Sequence, residues 1–341
     1  MIDLAILDVG HGNSALIVDE SHVTLIDASL GSTVGETLRA AGISRINTVI
    51  ISHADADHCG GLVGLLLDEG LVIDAVRLNS DAIKATVLWN DLTRAMQDAR
   101  RRASTRIMVG LTSDTQLSGH AEFRLEVLGP DPTLAAKGPG STDHEGRRLT
   151  ANSMSAIVRV WRRGVPVALF PGDIDGVGLD SLLREHPDPI ARLVVFPHHG
   201  GSPGGGASAR HFARRLCAAV KPETVVFSLK RGKLGNPLPA IILGVRDAVP
   251  NAHIICTQLS SRCAAELPAQ RAVHLSDRIA KGAYRNLCCG GTIVLNHEGA
   301  TVLRSPSKEE HARFVLASAP SALCMEHSRA AAKAASATKV S

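Results

Sequence analysis

The sequence predicts an α/β protein of two β-sheets covered by helices, and three observations carry that expectation. Short β-branched runs alternate with amphipathic helical stretches almost to residue 304. Several runs are apolar throughout, as strands buried on both faces must be. Four of them end in polar, ligand-type side chains, which is where layered α/β proteins place their sites.

Residues 4–8, 14–18 and 23–27 read as an antiparallel meander turned by Gly10, Gly12 and Asn13. A short helix follows at 35–42. Strand 48–52 then leads to a helix beginning at 62–67 and a strand at 75–79. Residues 88–103 form an amphipathic helix whose Arg100, Arg101 and Arg102 complement the dipole at its C-terminal end. Strands are expected at 122–128, 155–161 and 165–170, with the Gly/Pro-rich segment 131–150 as a loop on the rim of the site. A second round gives helix 177–184, strand 193–196, helix 207–220, strand 224–228, helix 240–248 and strand 253–256. Strands 292–295 and 301–303 form a closing hairpin. One domain over 1–305 is expected, with a cysteine-containing closing segment at 256–305. An Ala/Ser/Lys-rich tail at 306–341 follows, flexible or in part helical.

Composition narrows the function. A chain of 341 residues with 45% hydrophobic content can bury a large core. The formal charge is +4, but residues 281–341 hold eight Lys+Arg against four Asp+Glu, leaving 29 of each over residues 1–280. That balance does not imply a general polyanion-binding surface. Local pairs such as Arg147-Arg148, Arg162-Arg163, Arg214-Arg215 and Lys230-Arg231 still allow a focused patch. No apolar stretch reaches membrane-span length and no leader pattern precedes the strand at 4–7, so a cytoplasmic protein without a membrane partner is expected. Its seven cysteines are then free thiols or metal ligands.

The densest chemistry lies in His53-Ala54-Asp55-Ala56-Asp57-His58, directly after the run Thr48-Val49-Ile50-Ile51-Ser52. Carboxylates and imidazoles this crowded repel one another and lose solvation unless a cation offsets the charge, so the cluster reads as a metal site. Cys59 is expected to pack beneath the loop. Three later strands end similarly: in Pro171-Gly172-Asp173, in Pro197-His198-His199-Gly200, and in Ser228-Leu229-Lys230-Arg231, followed by Gly235-Asn236-Pro237.

These motifs, with Asp27 in Leu25-Ile26-Asp27, resemble the metallo-β-lactamase-fold hydrolases. The subgroup most similar is the hydrolase domain of the competence DNA-uptake protein ComEC/Rec2. The likeness rests on Asp8-Val9-Gly10-His11-Gly12-Asn13, on Asp55 at the third position of the metal motif, and on Asn152-Ser153-Met154-Ser155. It covers roughly residues 2–240 and implies a four-layer αββα sandwich with the metal site along one edge between the sheets. The subgroup closes with Gly-His-Pro, where this chain has Asn236, and Asn13 replaces a carboxylate.

The resemblance implies a metal-dependent phosphodiesterase or nuclease that uses a metal-activated water. Its metal ligands would be His53, Asp55, Asp57, His58, Asp173 and His198, with Asp173 bridging one or two divalent cations. Three carboxylates among six ligands make the site harder than a His-rich zinc site, so Mn²⁺ or Mg²⁺ competes with Zn²⁺ as the resident ion. His199 is the expected proton donor to the leaving group, Lys230 or Arg231 the expected phosphate clamp, and Asp57 both ligand and catalytic carboxylate. Asp8, Asp27, Asn152 and Asn236 are expected to support the ligands, Asp27 by anchoring a ligating histidine. A nucleic-acid or nucleotide substrate would meet Arg147, Arg148 and Lys230. Hydrolysis of a small ester, thioester or amide, and a metal-binding interaction protein without turnover, remain as alternatives. Cys256, Cys263, Cys288 and Cys289 are a separate candidate set for a structural zinc.

Overall fold

The computed structural model describes residues 4–20, 22–81, 83–117, 121–204, 206–295 and 303–325. The first half supplies β1 (Leu4–Ile6), β2 (Ala15–Asp19), β3 (His22–Ile26), β4 (Arg45–Ile46), β5 (Thr48–Ile50), β6 (Val72–Ile73), β7 (Ala75–Leu78) and β8 (Arg106–Val109). The second supplies β9 (Phe123–Gly129), β10 (Ile157–Arg162), β11 (Val165–Phe170), β12 (Leu193–Val195), β13 (Thr224–Phe227) and β14 (His253–Cys256). Two closing strands follow, β15 (Ile293–Leu295) and β16 (Leu303–Ser305). The first sheet runs β16-β15-β1-β2-β3-β5-β7-β8, the second β14-β13-β12-β11-β10-β9, and β4 pairs with β6 apart from both. Residues 301–302 of the expected closing hairpin lie outside the described residues.

Alternation along the strands builds the layers. Leu4, Ile6, Ile17 and Ile50 of the first sheet meet Val158, Phe170, Val195 and Val226 of the second in one inter-sheet core. Residues of opposite parity face outward. Leu7, Leu16, Leu25 and Val49 pack with Val34 and Leu38 of α1 (Thr33–Ala40), with Leu62, Leu65 and Leu66 of α3 (Leu62–Leu67), and with Leu92 and Met96 of α4 (Val87–Arg102). The single turn α2 (Ala56–Cys59) carries the metal motif. On the far side, Val194, Phe196, Val225 and Phe227 meet α6 (Gly176–Glu185), α7 (Ala209–Val220) and α8 (Pro239–Ala248). The four-layer αββα sandwich is therefore present.

Besides the short pair β4 and β6, a helix, an edge strand and the packing of the C-terminal helix go beyond the sequence expectations. The segment 131–150 includes helix α5 (Pro132–Lys137), started by the Asp131 side chain accepting from the N–H groups of Thr133 and Leu134. Edge strand β8 is partly exposed at every position and lacks an apolar run to announce it. In the expected tail, α9 (Lys308–Ser318) packs Val315, and the following Ala319, Ala322 and Met325, onto the core of the second sheet. The packed chain thus runs past residue 305; residues 326–341 lie outside the described residues.

In the first sheet β3, β5, β7 and β8 are parallel, and in the second β11, β12, β13 and β14 are parallel. Their C-terminal ends bring Asp27, Ser52 to His58, Asp173, His198, His199 and Ser228 to one edge.

Candidate metal centre

Asp27 organises the first-sheet side. It sits at φ 59°, left-handed for a non-glycine residue, at the end of β3. Its buried carboxylate accepts from the Ser52 N–H (2.7 Å), the Ser52 hydroxyl (2.9 Å) and His58 Nδ1 (2.7 Å). These bonds determine tautomers. His58 donates from Nδ1, so its Nε2 is the nitrogen that carries the lone pair when the ring is neutral. Ser52 gives its only proton to Asp27, so its oxygen accepts from His53 Nδ1 at 3.0 Å, and His53 Nε2 is likewise a lone pair. Both Nε2 atoms are buried without a hydrogen-bond partner.

Asp173 stands opposite, delivered by Gly172 at φ +57°, where a Cβ would lie 2.8 Å from the Ser52 Cβ. Asp173 Oδ2 lies 3.4 Å from His58 Nε2 and 3.7 Å from His199 Nε2. The Pro197–Gly200 turn after β12 holds His198 at φ 53° and His199 at φ 54°. His199 donates from Nδ1 to the Ser228 carbonyl at 2.8 Å and turns its Nε2 to Asp57 Oδ2 at 3.1 Å, where it hydrogen-bonds while protonated and offers a lone pair once that proton leaves. His11, in the β1–β2 loop, brings its Nε2 to 3.1 Å from the same oxygen.

Two groups result, His53-His58-Asp173 and His11-Asp57-His199, each offering three ligand atoms within 4.8 Å of one another. Asp173 lies between them. Orphaned, inward-facing imidazole nitrogens beside carboxylates are the donor set that a divalent cation satisfies. Burial raises the pKa of Asp57, but hydrogen bonds from His11 and His199 outweigh it and hold the carboxyl below its usual range. Burial also opposes ionisation of Asp173, and the His58 and His199 charges overcome it. His58 loses charge to burial and regains it from Asp173 and Asp27, so it holds a proton more tightly than an ordinary histidine. A bound cation would compete with that proton.

Of the six expected ligands, the structure gathers His53, Asp57, His58 and Asp173. Asp55 departs. Its carboxylate pairs with Lys84 and lies 3.5 Å from His53 Nε2, outside both groups. His198 departs as well. Its N–H binds Asp173 Oδ1 at 2.7 Å and its Nε2 meets the Ile174 carbonyl at 3.1 Å, so it positions the carboxylate. His199, expected as proton donor, belongs instead to a ligand group. His11 was not among the expected ligands, although its placement in a Gly-His-Gly loop between two strands is the signal that could have brought it into the candidate set.

The expected supports divide. Asp27 touches His58 directly. Asp8 accepts from Gly10 N, Gln258 Nε2, Gly282 N and Cys288 Sγ, and so ties the His11 loop to the closing segment. Asn236 donates to the His198 carbonyl at 3.2 Å, bracing the turn behind His199. Asn152 packs its Oδ1 inward without a partner, beside the Ser155 that adjoins Gly172.

The cationic clamp is not formed as expected. Lys230 is exposed and makes no contact with either group, while Arg231 caps the carbonyls of Leu259, Ala264 and Ala265. Arg147 is held by Asp143 and Asp180, leaving exposed Arg148 unassigned. The structural-zinc set is not assembled either. Cys288 donates to Asp8 and Cys289 meets His311 Nε2 at 3.1 Å, and among the described residues neither three-ligand group contains a cysteine. Cys59 is fully buried, its thiol pushed up to about 12 chiefly by burial.

A family model described as the metallo-beta-lactamase superfamily matches residues 7–218. The chain is 24% identical over 232 residues to the competence protein ComA of Neisseria gonorrhoeae, covering 66% of this chain and 26% of that protein. It therefore spans about a quarter of that relative's length. Among solved structures, the metallo-beta-lactamase fold protein YhfI from Bacillus subtilis aligns at TM-score 0.45 with 12% identity, over 74% of this chain and 95% of that one. The short form of human tRNase Z aligns at 0.40 with 15% identity, over 67% and 92%. No helix among the described residues is long and apolar enough to cross a membrane.

Proposed function

The chain belongs to the metallo-beta-lactamase superfamily of metal-dependent hydrolases, and on that premise we propose that it cleaves phosphodiester bonds at a centre of one or two divalent cations. His53, His58 and Asp173 would hold one cation and His11, Asp57 and His199 the other, with Asp173 between them. The observation that carries this reading is the pair of buried Nε2 lone pairs, on His53 and His58, both fixed by the Asp27–Ser52 unit and facing Asp173.

A cation there supplies Lewis acidity and lowers the pKa of a bound water. The protein's own groups do the rest. Asp27 and the Ser228 carbonyl keep His58 and His199 in the ligating tautomer. The His198 N–H fixes one oxygen of Asp173 and leaves the other directed at both groups. With four imidazoles and two carboxylates, the set is richer in nitrogen than the sequence alone implied. Zn²⁺ or Mn²⁺ suits it better than Mg²⁺.

The phosphodiester preference rests on relation to the competence protein and on the motifs shared with its hydrolase domain. Because Arg147, Arg162, Arg163 and Arg215 are all engaged by carboxylates, a long basic groove is not supported, and a nucleotide or a short single-stranded end fits better. The test is hydrolysis of bis(p-nitrophenyl) phosphate and of labelled DNA with Mn²⁺ or Zn²⁺. Asp57→Ala and Asp173→Ala should each lower the rate by about 10²-fold or more. Unchanged rates in both variants would sink the assignment.

A further inference from the structure

We infer that Lys281, from the closing segment, is the cation that contacts the substrate's phosphate, an inference that rests on the phosphodiester reading above. Its backbone N–H donates to the Asp8 carbonyl at 2.8 Å, and the Asp8 carboxylate takes the next N–H, that of Gly282, at 2.8 Å. The same carboxylate holds Gly10. One buried residue therefore fixes Lys281 against the loop that presents His11.

The side chain then lies along that loop. A Cβ on Gly10 would come 3.2 Å from Lys281 Cδ, and a Cβ on Gly31 would come 2.9 Å from its Nζ. Both glycines adopt positive φ, at +80° and +116°, so the two turns are bare where the lysine crosses them. Their loops join at the site: the Ser29 hydroxyl donates to the His11 carbonyl at 2.7 Å, and a Cβ on Gly12 would strike the Asp57 carbonyl. The ammonium thus lies over Gly31, two residues past the Ser29 that holds the His11 carbonyl.

Lys281 is half-buried, and among the described residues no carboxylate pairs with it. The other half-buried cations near the site, Lys84 and Arg231, are taken up by Asp55 and by backbone carbonyls. A partly desolvated ammonium anchored to the loop that presents His11 has one evident counter-charge, an anionic phosphoryl oxygen on the substrate.

Binding of inorganic phosphate to the Mn²⁺-loaded full chain tests this without requiring turnover. Lys281→Met keeps the aliphatic stem over Gly10 and should weaken phosphate about tenfold or more, with Mn²⁺ affinity unchanged. Lys281→Arg should restore most of the loss. With bis(p-nitrophenyl) phosphate, Lys281→Met should raise KM more than it lowers kcat. Equal phosphate affinity in Lys281→Met and the native protein, or no phosphate binding by the native protein, would overturn the inference. Phosphate held through Lys281 by a protein that hydrolyses no phosphodiester would leave the inference standing and refute only the proposed reaction.

Discussion

Replacing Asp27 by Asn tests the link between fold and site most directly. The carboxylate is buried and accepts three hydrogen bonds, from the Ser52 N–H, the Ser52 hydroxyl and His58 Nδ1. An amide of the same shape has one oxygen, so whichever way it is turned its NH₂ meets at least one donor. Hydrogen bonds to a charged group contribute about 1.5–3 kcal/mol each, and one or two are lost, so destabilisation of about 1.5–6 kcal/mol follows. For a domain of this size that lowers Tm by on the order of 10 °C. Loss of the orienting partner also frees the His58 and His53 tautomers, which should weaken metal binding about 10- to 100-fold. Calorimetric titration with Zn²⁺ or Mn²⁺, alongside thermal denaturation of the metal-free protein, measures both effects. A folded Asp27→Asn variant with native Tm and native metal affinity would refute the argument that Asp27 sets the site.

Two further outcomes follow from geometry and burial. Gly172→Ala places a methyl 2.8 Å from the Ser52 Cβ at a φ of +57°, so overpacking and backbone strain together should cost about 2–4 kcal/mol and reduce metal affinity; equal chemical denaturation midpoints would contradict this. His253 is held down to about 4, first by burial and then by Lys308 and Arg246, and His311, its hydrogen-bond partner at 2.9 Å, lies well below its usual value. Unfolded histidines titrate near 6.5, so the unfolded chain binds more protons below that pH. The stability these residues supply is therefore present above about pH 6.5 and is lost as pH falls toward 4, by about 3 kcal/mol for His253. His58 works in the opposite sense, so the measurement is the difference between the native protein and His253→Asn. That variant should show a flatter decline in denaturation midpoint between pH 6.5 and 4, and parallel declines would count against the reading.

The sandwich was legible because strand ends and burial leave a local trace. Val49, Ile50 and Ile51 announce a covered strand, and the ligand-type residues immediately after it need no knowledge of the rest of the chain. Asp27 could be assigned to a histidine through the family resemblance, and the structure adds Ser52 to its partners. What spacing could not report is which atom of a ligand-type residue faces inward. Asp55 and Asp57 are two residues apart on a short turn, yet one leans out to Lys84 and the other in to His11 and His199. His198 and His199 are adjacent, and the left-handed backbone at both sends one ring to Ile174 and the other to the centre. Arg231 looked like a clamp in sequence, but three carbonyls 28–34 residues away claim it.

The closing segment explains the rest. Residues 280–295 fall outside the matched family region at 7–218, and from sequence they read as a cysteine-bearing stretch leading into a closing hairpin, with no tie to the site. In the fold β15 pairs with β1 through Ala5–Val294 and Ile6–Ile293, on the edge opposite β2. The strand whose exit loop carries His11 is thus held on one side by its hairpin partner and on the other by residues nearly 290 positions distant. Asp8 repeats that arrangement in side-chain form, reaching Gln258, Gly282 and Cys288 from the first turn of the chain. A contact of that span has no periodicity or spacing from which to read it. If Lys281 meets the substrate, the metal side of the site comes from residues 11–199 and the phosphate side from the closing segment ahead of β15. Changes in that segment would then shift substrate preference while leaving the metal ligands untouched.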